Sequence, residues 1–93
     1  MSSHSLHERL LVENKLGIHA RAAAKLVALA NHYVCSIELT KKDITVNAKS
    51  IMSVLMLAAN QGTELELRIE GDDAEEARVA ITELFKNRFG ESE

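Results

Sequence analysis

Gly17-Ile18-His19-Ala20-Arg21-Ala22-Ala23-Ala24-Lys25 joins a strand-like run, Arg9-Leu10-Leu11-Val12-Glu13, to an Ala-rich helical run from Ala20 to Asn31. Gly17 supplies a permissive backbone for the turn, and His19 falls at or just before the first helical turn. The first N–H groups of a helix have no partner within it, and the helix dipole adds partial positive charge there. Such an end welcomes an anion, phosphate above all. Arg21, two residues on, can reach the same anion with a planar fork of donors. Histidine attacks phosphorus as neutral imidazole, and the positive end of a helix favours that form. The pattern predicts a phosphoryl group held on His19. The plainer alternative is a histidine that merely caps the helix or lies on the surface.

Working outward, the segment from Met1 to Leu6 is polar, so residues 1–7 are expected to be a disordered arm and 8–90 a single domain. His4 and His7 in that stretch have nothing nearby to complete a metal site. Glu8 to Glu13 reads as a first strand whose alternation is too imperfect to fix its inward face. On the first helix, Ala23, Leu26, Val27, Ala30 and either Tyr33 or Val34 recur at helical spacing and are expected to face a sheet. His32 is expected on the surface near the helix end. Val34 to Thr40 forms a second strand with Cys35, Ile37 and Leu39 on one face, which assigns Cys35 to core packing. Lys41-Lys42-Asp43 turns into a third strand, Ile44 to Ala48.

Ser50 is a good N-cap for a second helix, Ile51 to Asn60. This helix is unusually apolar. Val54, Leu57 and Ala58 make one stripe; Ile51, Met52 and Leu55 make another. Burial on two sides and an exposed docking surface are both open. Gly62 breaks the chain. From Thr63 to Glu70, Leu65, Leu67 and Ile69 alternate with charged residues, which predicts a strand with one face in water. Asp72, with Glu75 three residues on, reads as the cap of a third helix. Its inner stripe is Ala77, Ile81, Leu84 and Phe85; Arg78, Glu83 and Lys86 face out, and Gly90 ends it.

The order is strand, helix, strand, strand, helix, strand, helix. Three helices must cover one apolar sheet face. If the fourth strand inserts between the first and second, every neighbour is antiparallel, and the result is an α/β (α+β), open-faced two-layer β-sandwich. The chain of 93 residues buries only about two-thirds of its unfolded surface. At 3% aromatic content, aliphatic side chains must fill the core. No apolar run approaches the ~20 residues of a membrane span, no signal peptide opens the chain, and the single cysteine has no partner for a disulfide. A soluble cytoplasmic protein is expected. The formal charge of −3 argues against nucleic-acid binding. Nothing in the chain calls for a metal or cofactor.

The sequence resembles the HPr family, the histidine-containing phosphocarrier proteins of the phosphoenolpyruvate-dependent phosphotransferase system. Gly-Ile-His-Ala-Arg at 17–21 and Lys-Ser-Ile-Met at 49–52 carry the resemblance; Gln61-Gly62-Thr63 and the Glu70-Gly71-Asp72-Asp73 turn add to it. It covers nearly all of the chain after the arm. The resemblance implies the sheet order 1-4-2-3. It makes His19 the residue that accepts a phosphoryl group on Nδ1 from enzyme I and passes it to an enzyme IIA, with Arg21 beside it stabilising the phosphate. It makes Ser50 the serine that a regulatory kinase/phosphorylase modifies in many members. It assigns partner docking to Ile51, Met52 and Leu55, with Lys49 on the rim and Ala24 on the first helix. A monomeric carrier, not an enzyme, is expected.

Two positions depart from the family pattern. Ala22 stands where members often have proline, which leaves the first helical turn looser. Leu16 replaces a polar residue, so a side-chain brace from that position is missing. Ser50 keeps two readings, cap or regulatory site. A non-carrier docking module of the same fold is the alternative function; its paralogues lack the histidine present here. A small hydrolase using His19 finds no carboxylate partner near the motif.

Overall fold

A computed structural model describes residues 5–93. Strand β1 spans Ser5–Leu11, helix α1 Ala20–Ala30, β2 Ser36–Lys41, β3 Ile44–Asn47, α2 Ile51–Met56, β4 Glu64–Glu70 and α3 Ala74–Lys86; a short 3-10 turn, Arg88–Gly90, follows. The sheet order is β1-β4-β2-β3, and every neighbouring pair is antiparallel. This is the expected open-faced sandwich.

The register explains which face is dry. Leu10 pairs with Leu65, Leu39 with both Leu67 and Val46, and Ile37 with Ile69. All seven are buried, in one cluster with the inner residues of the helices. The opposite face carries charge and hydroxyls: Arg68 donates to Glu38 at 3.4 Å, and the Thr40 and Thr45 hydroxyls meet at 2.8 Å. A period-2 pattern with one face on the core tolerates no one-residue slip, so this register is strongly specified.

β1 begins at Ser5, paired with Glu70, so residues 5–7 belong to the sheet and not to the expected arm. Residues 1–4, including His4, lie outside the described residues. His7 is exposed opposite Arg68. The imperfect alternation of β1 comes from Glu8, which faces inward half-buried and accepts from Arg78 of α3 at 3.3 Å. Arg78 also donates to Glu75, so it lies along the edge of the core instead of facing out. The ion pair lowers the pKa of Glu75 below the usual carboxylate range and raises that of Arg78.

Of the two candidates at the end of α1, Tyr33 packs on the core, while Val34 is 86% exposed. β2 starts two residues later than expected, because Val34 and Cys35 give their N–H groups to the Asp73 carboxylate at 2.9 and 3.0 Å. Asp73, not Asp72, therefore stands at the N-cap of α3, and its side chain reaches across to the β2 entry instead of capping. Those amides hold Asp73 below its ordinary pKa. Cys35 is buried as expected. Desolvation, with Asp73 beside it, pushes its thiol up to about 11, as suits a core residue and not a nucleophile.

α2 ends at Met56, four residues short of expectation. Ala58 takes a left-handed conformation (φ 49°), which glycine usually supplies, and turns Ala59 into the core while Ala58 itself is exposed. The Lys41 ammonium donates to the Leu57 and Ala58 carbonyls at 2.9 and 3.2 Å, placing a cation at the negative end of the helix. α3 ends at Lys86 instead of Gly90. Beyond it Arg88 and Phe89 both have positive φ (54° and 56°), and this bend buries Phe89 against Phe85 with ring centroids 4.9 Å apart.

Candidate functional site

The loop from Asn14 to His19 is held before α1 begins. Gly17 has φ +70°, and a Cβ there would stand 2.6 Å from the Ala59 carbonyl oxygen. The same oxygen accepts the Ile18 N–H at 2.9 Å. Asn14 is fully buried, and its Nδ2 donates to the Gly17 carbonyl at 2.7 Å. It braces the loop that Leu16, 69% exposed, does not. The first turn closes without proline: the Ala23 N–H donates to the His19 carbonyl at 2.8 Å. Ala22 is buried.

His19 is the N-cap of α1, with extended backbone. Its Nδ1 accepts the Arg21 N–H at 3.2 Å. This is the position a capping oxygen ordinarily takes, so the Nδ1 lone pair points at the first-turn amide of Arg21. The other ring nitrogen, Nε2, forms a short hydrogen bond with Glu91 Oε2. One tautomer satisfies both contacts: the proton sits on Nε2 and is donated to the carboxylate, and Nδ1 stays an acceptor. Capping and nucleophilic readings of His19 are thus compatible, because the cap atom is the lone pair a nucleophile needs.

Glu91 was missed by sequence reasoning, which found no carboxylate for this histidine and ended the domain at residue 90. It lies 72 positions away along the chain. The Phe89 anchor delivers it: Lys25 of α1 donates to the Phe89 carbonyl at 2.7 Å, and the chain then passes over the start of α1. Glu91 Oε1 accepts from Asn14 Nδ2 at 3.0 Å. The Lys15 N–H donates to the Glu93 carbonyl at 2.8 Å, with the two side chains 3.7 Å apart. The hydrogen bond from Asn14, then that from His19, holds Glu91 below the ordinary carboxylate range. The sequence signal was slight: Phe89 follows Phe85 by four residues, continuing the apolar stripe past the expected helix end.

His19, Arg21, Lys15 and the C-terminal residues 91–93 line one open cleft of about 550 Å³. Arg21 is exposed, and its guanidinium has no ion-pair partner among the described residues. Hydrogen bonds, a cation and a lone pair therefore converge on a water-accessible space, which suits holding and releasing an anionic group.

The remaining candidates lie on α2 and the outer side of α1. Ser50 caps α2, its Oγ accepting from the Ser53 N–H at 3.3 Å. Met52 is 74% and Met56 71% exposed, Ile51 is exposed and Leu55 half-buried, so the second apolar stripe faces water. Met56 was absent from the expected set. Ala24 is exposed midway along α1, between Ala20 and Ala28 on the same row. The Lys49 ammonium is engaged, donating to the Tyr33 carbonyl at 2.6 Å.

A family model described as "PTS HPr component phosphorylation site" matches residues 6–87. The phosphocarrier protein HPr of Xylella fastidiosa (strain 9a5c) is 51% identical over 86 residues, 92% of this chain and 97% of that one. The phosphocarrier protein HPr of Pseudomonas aeruginosa is 48% identical over 85 residues, 90% of this chain and 94% of that one. The crystal structure of HPr-C-His from Thermoanaerobacter tengcongensis superposes with a TM-score of 0.86 at 39% identity, covering 100% of both chains. With its fold, its strand order and most of its length matched, this chain belongs to the HPr family of phosphotransferase-system proteins.

Proposed function

We propose that this protein is a phosphoryl carrier. His19 takes a phosphoryl group on Nδ1 from phosphorylated enzyme I, which phosphoenolpyruvate charges, and passes it to a histidine of an enzyme IIA. The observation that carries this reading is the Nδ1 lone pair set against the start of α1, with the Arg21 guanidinium in the same cleft. A phosphoryl group on that atom meets backbone N–H donors and one cation. Ala22 adds an N–H that proline lacks. The site is open, so the group is stabilised without being sealed in, as a carrier requires. Ile51, Met52, Leu55 and Ala24 serve as the docking surface, with Met56 extending it. Lys49 contributes to that rim through the Tyr33 carbonyl it steadies, more than as a free charge.

Ser50 is the regulatory position on this reading. A phosphate on Ser50 adds about two negative charges next to Ile51 and Met52, which a docking partner must desolvate. Aspartate preserves a capping oxygen, so Ser50→Asp tests charge with little loss of helix. The assay supplies labelled phosphoenolpyruvate, enzyme I and candidate enzyme IIA domains of the sugar and nitrogen-related branches. Wild type should carry an acid-labile, base-stable label and hand it on. Ser50→Asp should be loaded several-fold more slowly and Ser50→Ala at the wild-type rate. Wild type that takes no label defeats the carrier reading; equal rates for both Ser50 variants defeat the regulatory one.

A further inference from the structure

Met52 and Met56 stand one helical turn apart on the water-facing side of α2, 74% and 71% exposed. Neither belongs to the core cluster. We propose that this thioether pair is an oxidation site: a peroxide converts Met52 and Met56 to sulfoxides, which weakens docking of enzyme I and leaves the fold and the chemistry of His19 intact. This rests on α2 being the docking surface.

Hydrogen peroxide illustrates the step. A lone pair on the thioether sulfur attacks one peroxide oxygen and forms the S–O bond. The O–O bond breaks, and its electron pair leaves with the other oxygen as hydroxide. The proton on the attacked oxygen passes to that hydroxide, so the products are one sulfoxide and one water. Sulfur loses two electrons and the peroxide gains them. The change turns a flexible apolar side chain into a polar one, and methionine sulfoxide reductases, one for each epimer, reverse it.

Three features direct the reaction and its consequence to α2. The competing sulfur nucleophile, Cys35, is buried, and a thiol meets peroxide as thiolate, the form its surroundings disfavour. The remaining methionine, Met1, lies outside the described residues. Secondly, Ile51, Met52, Leu55 and Met56 form two adjacent i, i+4 rows, so both thioethers lie within one apolar patch. A partner that covers this patch strips a sulfoxide of water without offering it a hydrogen bond, and binding weakens. Finally, α2 is held by other groups. Val54 is its buried residue, Ser50 caps its start, and Lys41 holds the carbonyls at its end. No thioether takes part in these contacts, and among the described residues no methionine lines the His19 cleft.

The test treats wild type and a Met52→Leu/Met56→Leu double variant with hydrogen peroxide, and peptide mass spectrometry locates the added oxygens. Each protein is then compared with its own untreated sample. Loading is measured from enzyme I with phosphoenolpyruvate and, separately, from phosphoramidate, a small donor that needs no docking. Oxidised wild type should carry one oxygen on each of Met52 and Met56. It should load from enzyme I roughly 10-fold more slowly, the scale of one unpaired polar group in an apolar contact. Its loading from phosphoramidate and its unfolding midpoint should not move, and sulfoxide reductases should restore the lost rate. The double variant should keep its own untreated rate after peroxide. Oxygen found elsewhere than Met52 and Met56, equal slowing with both donors, or the same loss in the double variant overturns the proposal. A Met52→Gln/Met56→Gln variant separates this proposal from the reading beneath it. If that variant loads from enzyme I as fast as wild type, the docking surface fails and the proposal with it. If it loads slowly while oxidised wild type does not, the oxidation site fails alone.

Discussion

Replacing His19 with alanine is expected to reduce phosphoenolpyruvate-dependent labelling to background. No other described histidine has comparable surroundings. His7 lies on the water-facing side of β1, and His32 follows the C-terminal end of α1, where carbonyls and not amides are unpaired. Loss of the ring also removes the α1 cap, at a cost of about 1 kcal/mol, and leaves Glu91 without its imidazole partner. The protein should still fold, since the core cluster does not include His19. His19→Asn sharpens the comparison, because asparagine caps a helix well but is no nucleophile. Both variants should be unlabelled, while His19→Asn keeps the wild-type unfolding midpoint within a few degrees. Labelling of either variant places the phosphoryl group elsewhere.

The largest effect on stability is expected from Gly17→Ala. Two independent penalties coincide there. The left-handed φ of +70° costs an L-residue about 1–2 kcal/mol. The added methyl must then push the Ala59 carbonyl and the Asn60 Cα, 2.6 and 2.9 Å away, and strain of this kind costs a further ~1–3 kcal/mol. That carbonyl is the acceptor for Ile18, so relief of the clash lengthens a hydrogen bond at the site itself. For a domain of this size the midpoint of thermal unfolding should fall by roughly 10–25 °C. Gly62→Ala is the matched comparison. Its φ is +90°, but nothing lies within 4 Å of the added carbon, so only the backbone penalty applies. Calorimetry of the pair separates the two effects; a Gly17→Ala midpoint no lower than that of Gly62→Ala contradicts the close-approach argument.

These predictions also show what the chain discloses before folding and what it conceals. Local pattern was enough where one face is dry and the other wet. The alternation Leu65, Leu67, Ile69 placed β4, and the run Ala23, Leu26, Val27, Ala30 placed the inner side of α1. Ser50 announced the start of α2 by its chemistry, and Gly17 the turn before His19. The failures have one physical origin, namely backbone groups satisfied by residues distant in sequence. Asp72 reads as the cap of α3 until the Val34 and Cys35 amides, 39 and 38 positions before Asp73, claim the Asp73 carboxylate and put that residue at the N-cap instead. α2 stops at Met56 because Ala58 bends without a glycine to signal it and Lys41 of β2 holds the released carbonyls. The inward face of β1 stayed open in the sequence because Glu8 lies on it, and only Arg78 of α3 supplies the counter-charge that lets it do so. The half of the site made by His19 and Arg21 lies in five consecutive residues and was legible. The half made by Asn14 and Glu91 depends on a bend near the end of the chain, and no local rule describes it.

A carrier built this way takes the phosphoryl group on one ring nitrogen of His19 while the other keeps its proton. Phosphorus–nitrogen correlation in the spectrum of the loaded, nitrogen-15-labelled protein measures both together. Phosphorus coupled to Nδ1 of His19, with a proton retained on Nε2, is the predicted result; phosphorus on Nε2, or on any other residue, contradicts the geometry from which the function was inferred.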